Sequence, residues 1–210
     1  MSETTPSALP HCRIAILSFE GFNELDSFIA LGLLNRAPGV VAELCGPGPS
    51  IRSMNGVSVE LQRPLEWANE ADVVLFGSGL YTRAIAENSA LLDRLQLDPT
   101  RQLIGAQCSG TLLMARLGLL GDHPACTDST TKPWVIEAGV RVLEAPFHAH
   151  GPIATAGGCL ASQYLASWVL LKKCGEAAAR DALRYAAPVG EKETYVQRLI
   201  EQVQRYADLR

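Results

Sequence analysis

A chain of 210 residues with 48% hydrophobic and 19% charged residues has the composition of a globular protein able to bury a real core. Its net charge of −4 argues against a nucleic-acid partner, which would select a basic face. No apolar run approaches the roughly 18–20 residues of a membrane span, so no membrane partner is expected.

Residues 1–6 lack the basic-then-apolar pattern of a secretory signal, and residues 1–11 read as a disordered arm of a cytoplasmic protein. Residues 13–17 (RIAIL) suit a strand buried on both faces. Residues 22–36 carry Phe22, Leu25, Ile29, Leu33 and Leu34 at helical spacing, stopped by Pro38-Gly39. Strands follow at 40–45, 57–61 and 72–76, the last opening into Gly77-Ser78-Gly79. An amphipathic helix spans 84–95, a strand 101–106, and an apolar helix 111–117. Beyond Gly118 come a strand near 125–127, a helix near 134–138, a β-segment over 140–149 and a short strand at 153–156. Helices over 159–173 and 192–206 complete the chain.

Alternating strands and helices, with strands apolar on both faces, imply an α/β fold: a mainly parallel sheet flanked by helices on both faces. No repeat or composition break divides residues 12–210, which read as one domain. Chemistry in such folds sits at the carboxyl ends of the strands, which gathers residues 18–26, 77–81 and 107–110 at one edge.

Six cysteines occur, without a CxxC pair or an export signal. Cys12, Cys45, Cys126, Cys159 and Cys174 read as small buried hydrophobes. Cys108 differs, because Gln102–Leu113 joins an apolar strand to an apolar helix with almost no loop and puts Cys108 at the corner. A helix start favours anions, so Cys108 is expected to be the most acidic of the six thiols and a nucleophile. Gly110 lets the helix begin close to the strand. The backbone N–H groups after residues 72–76 suit an oxyanion hole beside Cys108. Glu24 and Asp26 open the first helix, either as capping acids or as a carboxyl that exchanges protons with the sulfur. His148-Ala-His150 lacks a third ligand at matching spacing, so no metal is expected. Trp134 and Trp168 read as core.

The stretches Gly-Ala-Gln-Cys-Ser-Gly, Asp-Val-Val-Leu-Phe-Gly-Ser-Gly and Ile-Leu-Ser-Phe-Glu-Gly-Phe-Asn-Glu-Leu-Asp together resemble the ThiJ/PfpI superfamily, of class I glutamine amidotransferase-like, flavodoxin-like fold. The likeness covers roughly residues 12–188 and is strongest with the isocyanide hydratase-like branch, whose first loop also ends in Leu-Asp. It implies Cys108 as nucleophile, Asp26 as the acid in contact with it, Ser109 as the following hydroxyl, and the N–H groups of Ser78 and Gly79 as the anion pocket. Two departures stand out. Ser109 replaces the His of the protease-like members, which excludes proteolysis, and Asp128-Ser129 stands where the hydratase-like branch tends to have His-Trp.

The resemblance implies a cysteine-dependent hydratase or hydrolase acting on a small electrophile, without a cofactor and as a homodimer. Glyoxalase-like chemistry on reactive aldehydes is the catalytic alternative. A redox or ligand sensor is the non-catalytic one, with Cys108 oxidised and held as sulfinic acid. Residues beyond 188 are too few for the helix-turn-helix of AraC-type regulators. Asp128 is expected either to face the Cys108 pocket or to cap the helix beginning near Thr131.

Overall fold

The computed structural model describes residues 12–207, so the arm expected over residues 1–11 lies outside it. A seven-stranded sheet forms the centre, built from β1 (Cys12–Leu17), β2 (Val40–Gly46), β5 (Arg63–Pro64), β6 (Val73–Phe76), β7 (Leu103–Gln107), β8 (Phe147–His150) and β9 (Ile153–Ala156). Their order is β5-β2-β1-β6-β7-β9-β8, and all neighbours are parallel except β8 and β9. β3 (Ser50–Arg52) and β4 (Ser58–Glu60) pair as a separate antiparallel ribbon. The strand expected over 57–61 therefore lies outside the main sheet.

Both faces of the sheet are covered. One core joins Ile14, Ile16 and Leu75 to α1 (Glu24–Leu34), α6 (Ser162–Ala186) and α7 (Lys192–Tyr206). The other joins Leu17, Val74, Phe76 and Ile104 to α2 (Thr82–Ala86), α3 (Ser89–Leu92), α4 (Gly110–Arg116) and α5 (Lys132–Glu137). Strands buried on both sides favour apolar residues throughout, as in β6, and β9 departs only at Thr155, whose Oγ1 accepts the Cys126 N–H.

Several expectations are corrected. The helix expected over 84–95 is two short ones, because the Asn88 side chain accepts the Leu91 N–H and starts a new helix. The strand near 125–127 reduces to one bridge, Ala125 to Val142, and only Phe147–His150 of the 140–149 segment is a strand. The helix expected over 159–173 opens with a 3-10 turn, Cys159–Ala161, and runs on to Ala186 across a break at Gly175 (φ 81°, ψ 168°). Trp168 is core as expected, but Trp134 is half-buried at a cavity wall.

Candidate functional site

The strand order reverses between β1 and β6, which opens a crevice at their carboxyl ends. Asn23 ends the β1 loop and caps α1 by accepting the Leu25 N–H at 3.1 Å. That start places Asp26 in the first helical turn, pointing inward and fully buried. Glu24 turns away toward Ser53 and Asn55. Of the two acids, only Asp26 reaches the crevice.

Cys108 follows β7 with φ +44°, the one non-glycine residue with positive φ among the described residues. Such a conformation costs about 1–2 kcal/mol. The surroundings hold it in place: Cys108 N–H donates to Ala156 O at 2.8 Å, and Thr127 Oγ1 donates to Cys108 O at 2.8 Å. Gly110 makes the turn possible, since a Cβ there would sit 2.5 Å from Phe76 O.

The Asp26 carboxyl, the Cys108 sulfur and the Cys159 sulfur all lie within 4.8 Å of one another. Ser78 Oγ donates to Asp26 Oδ2 at 2.5 Å and Ser27 Oγ to Oδ1 at 3.3 Å, and the Cys108 thiol is within hydrogen-bonding reach of the same carboxyl. With its amide nitrogen turned inward, Gln107 donates to Oδ1 at 3.1 Å. Burial outweighs these donors and pushes Asp26 up to about 6. Desolvation is the main cause.

Cys108 departs from expectation. Burial first, then the Asp26 carboxylate and the neighbouring Cys159 and Asp128, raise its thiol well above the usual range, against a single N–H from Gly158. Burial likewise pushes Cys12 to about 11 and Cys45 and Cys126 to about 12. Burial and the neighbouring charge thus work against the acidity expected of Cys108.

The remaining expected residues gather at the same place, with partners of their own. Gly79 N–H donates to Ser109 Oγ at 3.1 Å, and Ser109 Oγ also bonds Thr82 Oγ1 at 2.8 Å. Ser78 N–H points to the Asp26 carboxyl. The two N–H groups expected to hold an anion thus face Ser109 and Asp26, and the one facing the sulfur comes from Gly158. Asp128 faces the pocket, one of its two expected placements, and braces the turn ahead of α5, whose N-cap Thr131 has no side-chain cap. Its Oδ1 accepts Thr130 and Thr131 N–H at 2.9 Å each, and it lines the cavity in front of Cys108. That cavity measures about 270 Å³ and has Met54, Leu80 and Trp134 as its apolar wall. Among the described residues, no Lys, Arg or His lines it.

Cys159 is the residue that sequence reasoning missed. It lies just past the carboxyl end of β9, half-buried, and Asn23 Nδ2 donates to its sulfur at 3.1 Å. The absence of a metal site was argued from histidine spacing, yet the compact ligand set among the described residues is Asp26, Cys108 and Cys159. His150 instead stacks on His123, with ring centroids 3.8 Å apart, at the β8 edge of the sheet.

No protein-family model and no curated protein sequence matches the chain. Solved structures do. A ThiJ/PfpI family protein from Pseudomonas syringae aligns at TM-score 0.76 and 16% identity, over 98% of this chain and 95% of that one. Drosophila melanogaster DJ-1beta aligns at 0.74 and 19%, over 83% and 97%, and Schizosaccharomyces pombe DJ-1 at 0.72 and 14%, over 84% and 99%. The likeness extends across the sheet and both helical layers, so this chain has the fold shared by the ThiJ/PfpI and DJ-1 proteins.

Proposed function

We propose that the protein is a cysteine-dependent enzyme in which Cys108 attacks a small uncharged electrophile and Asp26 carries the proton. The observation that supports this most is the buried Asp26 carboxyl, raised to about 6, within reach of a thiol that is itself raised. At neutral pH the pair then rests as carboxylate and thiol. Asp26 is a base poised near working pH, which is what general-base activation of a nucleophile requires.

The substrate class follows from the cavity. At about 270 Å³, with Asp128 on its wall and no cation there among the described residues, it disfavours anions and suits a small neutral molecule. An isocyanide, the substrate implied by the sequence resemblance, fits that description. Cys108 sulfur bonds the terminal carbon while Asp26 takes the thiol proton and returns it to that carbon, giving a thioimidate. Water then adds to the same carbon, a proton passes to nitrogen through Asp26, and the carbon–sulfur bond breaks. The products are an N-substituted formamide and the free Cys108 thiol.

Incubating the reduced protein with a small alkyl isocyanide should yield the formamide by proton NMR, and Cys108→Ala should abolish it. Absence of both formamide and a Cys108 adduct by intact mass would overturn the proposal. Methylglyoxal in parallel checks the aldehyde alternative. Homodimerisation and cytoplasmic residence belong to the same proposal, and light scattering tests the first. Among the described residues, no helix is long and apolar enough to cross a membrane.

A further inference from the structure

The Cys108 sulfur, the Cys159 sulfur and an Asp26 carboxyl oxygen all lie within 4.8 Å of one another. Nothing in the proposed turnover uses Cys159. Yet the fold directs it inward, since Asn23 Nδ2 donates to its sulfur at 3.1 Å and both sulfurs open onto one cavity. Cys159 is half-buried, so a reductant in solution has access to the pair, whereas Cys12, Cys45 and Cys126 are buried.

Mobility is built into the second sulfur's position. A disulfide needs about 2 Å between sulfurs, so the gap must shrink. Cys159 sits in a three-residue 3-10 turn ahead of α6, not inside the long helix. Gly158 precedes it with φ +93° and no atom within 4 Å of where a side chain would start. Closing the gap would break the Asn23 hydrogen bond, and the open space beside Gly158 leaves the backbone room to turn there.

We propose that Cys108 and Cys159 form a redox-active pair that reduces small peroxides, with Cys159 as the thiol that resolves oxidised Cys108 into a disulfide. The inference rests on the proposed function only for the nucleophilicity of Cys108. In the first step Cys108 sulfur attacks one peroxide oxygen and the O–O bond breaks. Asp26 takes the thiol proton and passes it to the departing oxygen, leaving Cys108 sulfenic acid and an alcohol or water. In the second step Cys159 sulfur attacks Cys108 sulfur, the S–O bond breaks, and hydroxide leaves as water with the Cys159 proton. The two sulfurs lose two electrons and the peroxide gains them. A small dithiol restores both thiols by exchange. Interception at this stage keeps Cys108 from the sulfinic acid that an unresolved sulfenic acid reaches.

The experiment uses the unmutated reduced chain and one equivalent of hydrogen peroxide. The expected result is the loss of two hydrogens by intact mass, one cross-linked peptide pair joining Cys108 to Cys159, and full reversal by dithiothreitol. With excess dithiothreitol, peroxide should be consumed over many turnovers, and Cys108→Ser should stop this. In Cys159→Ser given two or more equivalents of peroxide, Cys108 should gain two oxygens irreversibly. The cross-link is read without mutation, so a variant that misfolds does not remove the test. Sulfinate at Cys108 of the unmutated chain with no cross-link, or a cross-link between other cysteines, overturns the proposal. If isocyanide turnover persists in that case, only the peroxide inference falls. A Cys108 inert to peroxide and to iodoacetamide alike overturns both readings.

Discussion

At the scale of single residues, the sign of the Cys108 shift decides the mechanism. The first turn of α4 was expected to acidify the thiol, but a helix terminus is worth about 0.3–1 kcal/mol, less than one pKa unit of about 1.4 kcal/mol. Burial of a residue only 4% exposed, with Asp26, Cys159 and Asp128 around its sulfur, outweighs that. The thiol therefore needs a base, and Asp26 is the base within reach. Asp26→Asn makes the two effects separable. Removing the negative neighbour should let thiolate absorbance appear at lower pH than in the unmutated protein. Turnover should nevertheless fall by about 10²-fold or more, because the proton carrier is gone. An unchanged thiol titration would mean that Asp26 serves the fold alone. Cys108 and Asp26 were legible because each stands at an element boundary that the sequence marks. Cys159 was not, since a cysteine in an apolar stretch looks like packing until its spatial neighbours are known.

At the scale of elements, the site depends on how closely a helix can begin after a strand. Gly110 starts α4 where a Cβ would lie 2.5 Å from Phe76 O and 2.8 Å from Gly77 O, both backbone atoms that cannot step aside. Gly110→Ala should therefore lower stability by about 1–3 kcal/mol, the usual cost of forcing a methyl into packed atoms. The denaturant midpoint should fall with the slope unchanged; a midpoint within error of the parent would show that α4 can shift freely. This strand–turn–helix unit was legible because its apolar runs meet at a glycine. Other elements were hidden for specific reasons. Asn88 divides one amphipathic pattern into α2 and α3, a side-chain capping event that periodicity does not register. Gly175 resembles a helix stop, and the 25-residue α6 simply breaks there and continues to Ala186. β5, at two residues, is too short to carry a pattern and exists only through its pairing with β2.

At the scale of the whole molecule, sheet order brings four loops together where local patterns suggested three. The loops after β1, β6 and β7 supply Asp26, Ser78 and Cys108, as strand-end reasoning anticipates. The fourth, after β9, arrives because β9 pairs in parallel with β7, residues 153–156 against 104–107, a long-range contact that the sequence does not encode locally. Assembling this edge buries Asp26 completely, and that has a consequence for stability. Its carboxyl titrates near 6 in the folded chain against 3.8 when unperturbed, so the folded state holds the proton more tightly than the unfolded state. The resulting stabilisation is full below the unperturbed value and is lost as pH rises through 6. Its size is about 3 kcal/mol at about 1.4 kcal/mol per pKa unit. Asp26→Asn cannot ionise, and its amide oxygen can still accept from Ser78, so the variant should escape the loss. Unfolding both proteins in denaturant from about pH 4 to about pH 7 should show the variant gaining on the parent by about 2–3 kcal/mol, mostly between 4 and 6. The exposed carboxylates Glu66, Asp98 and Glu144, all held below their usual range by hydrogen bonds, act equally in both chains and cancel in the difference. Parallel stability curves would mean that Asp26 titrates alike in the folded and unfolded chain and that water reaches it, leaving a weaker base than the one proposed to activate Cys108.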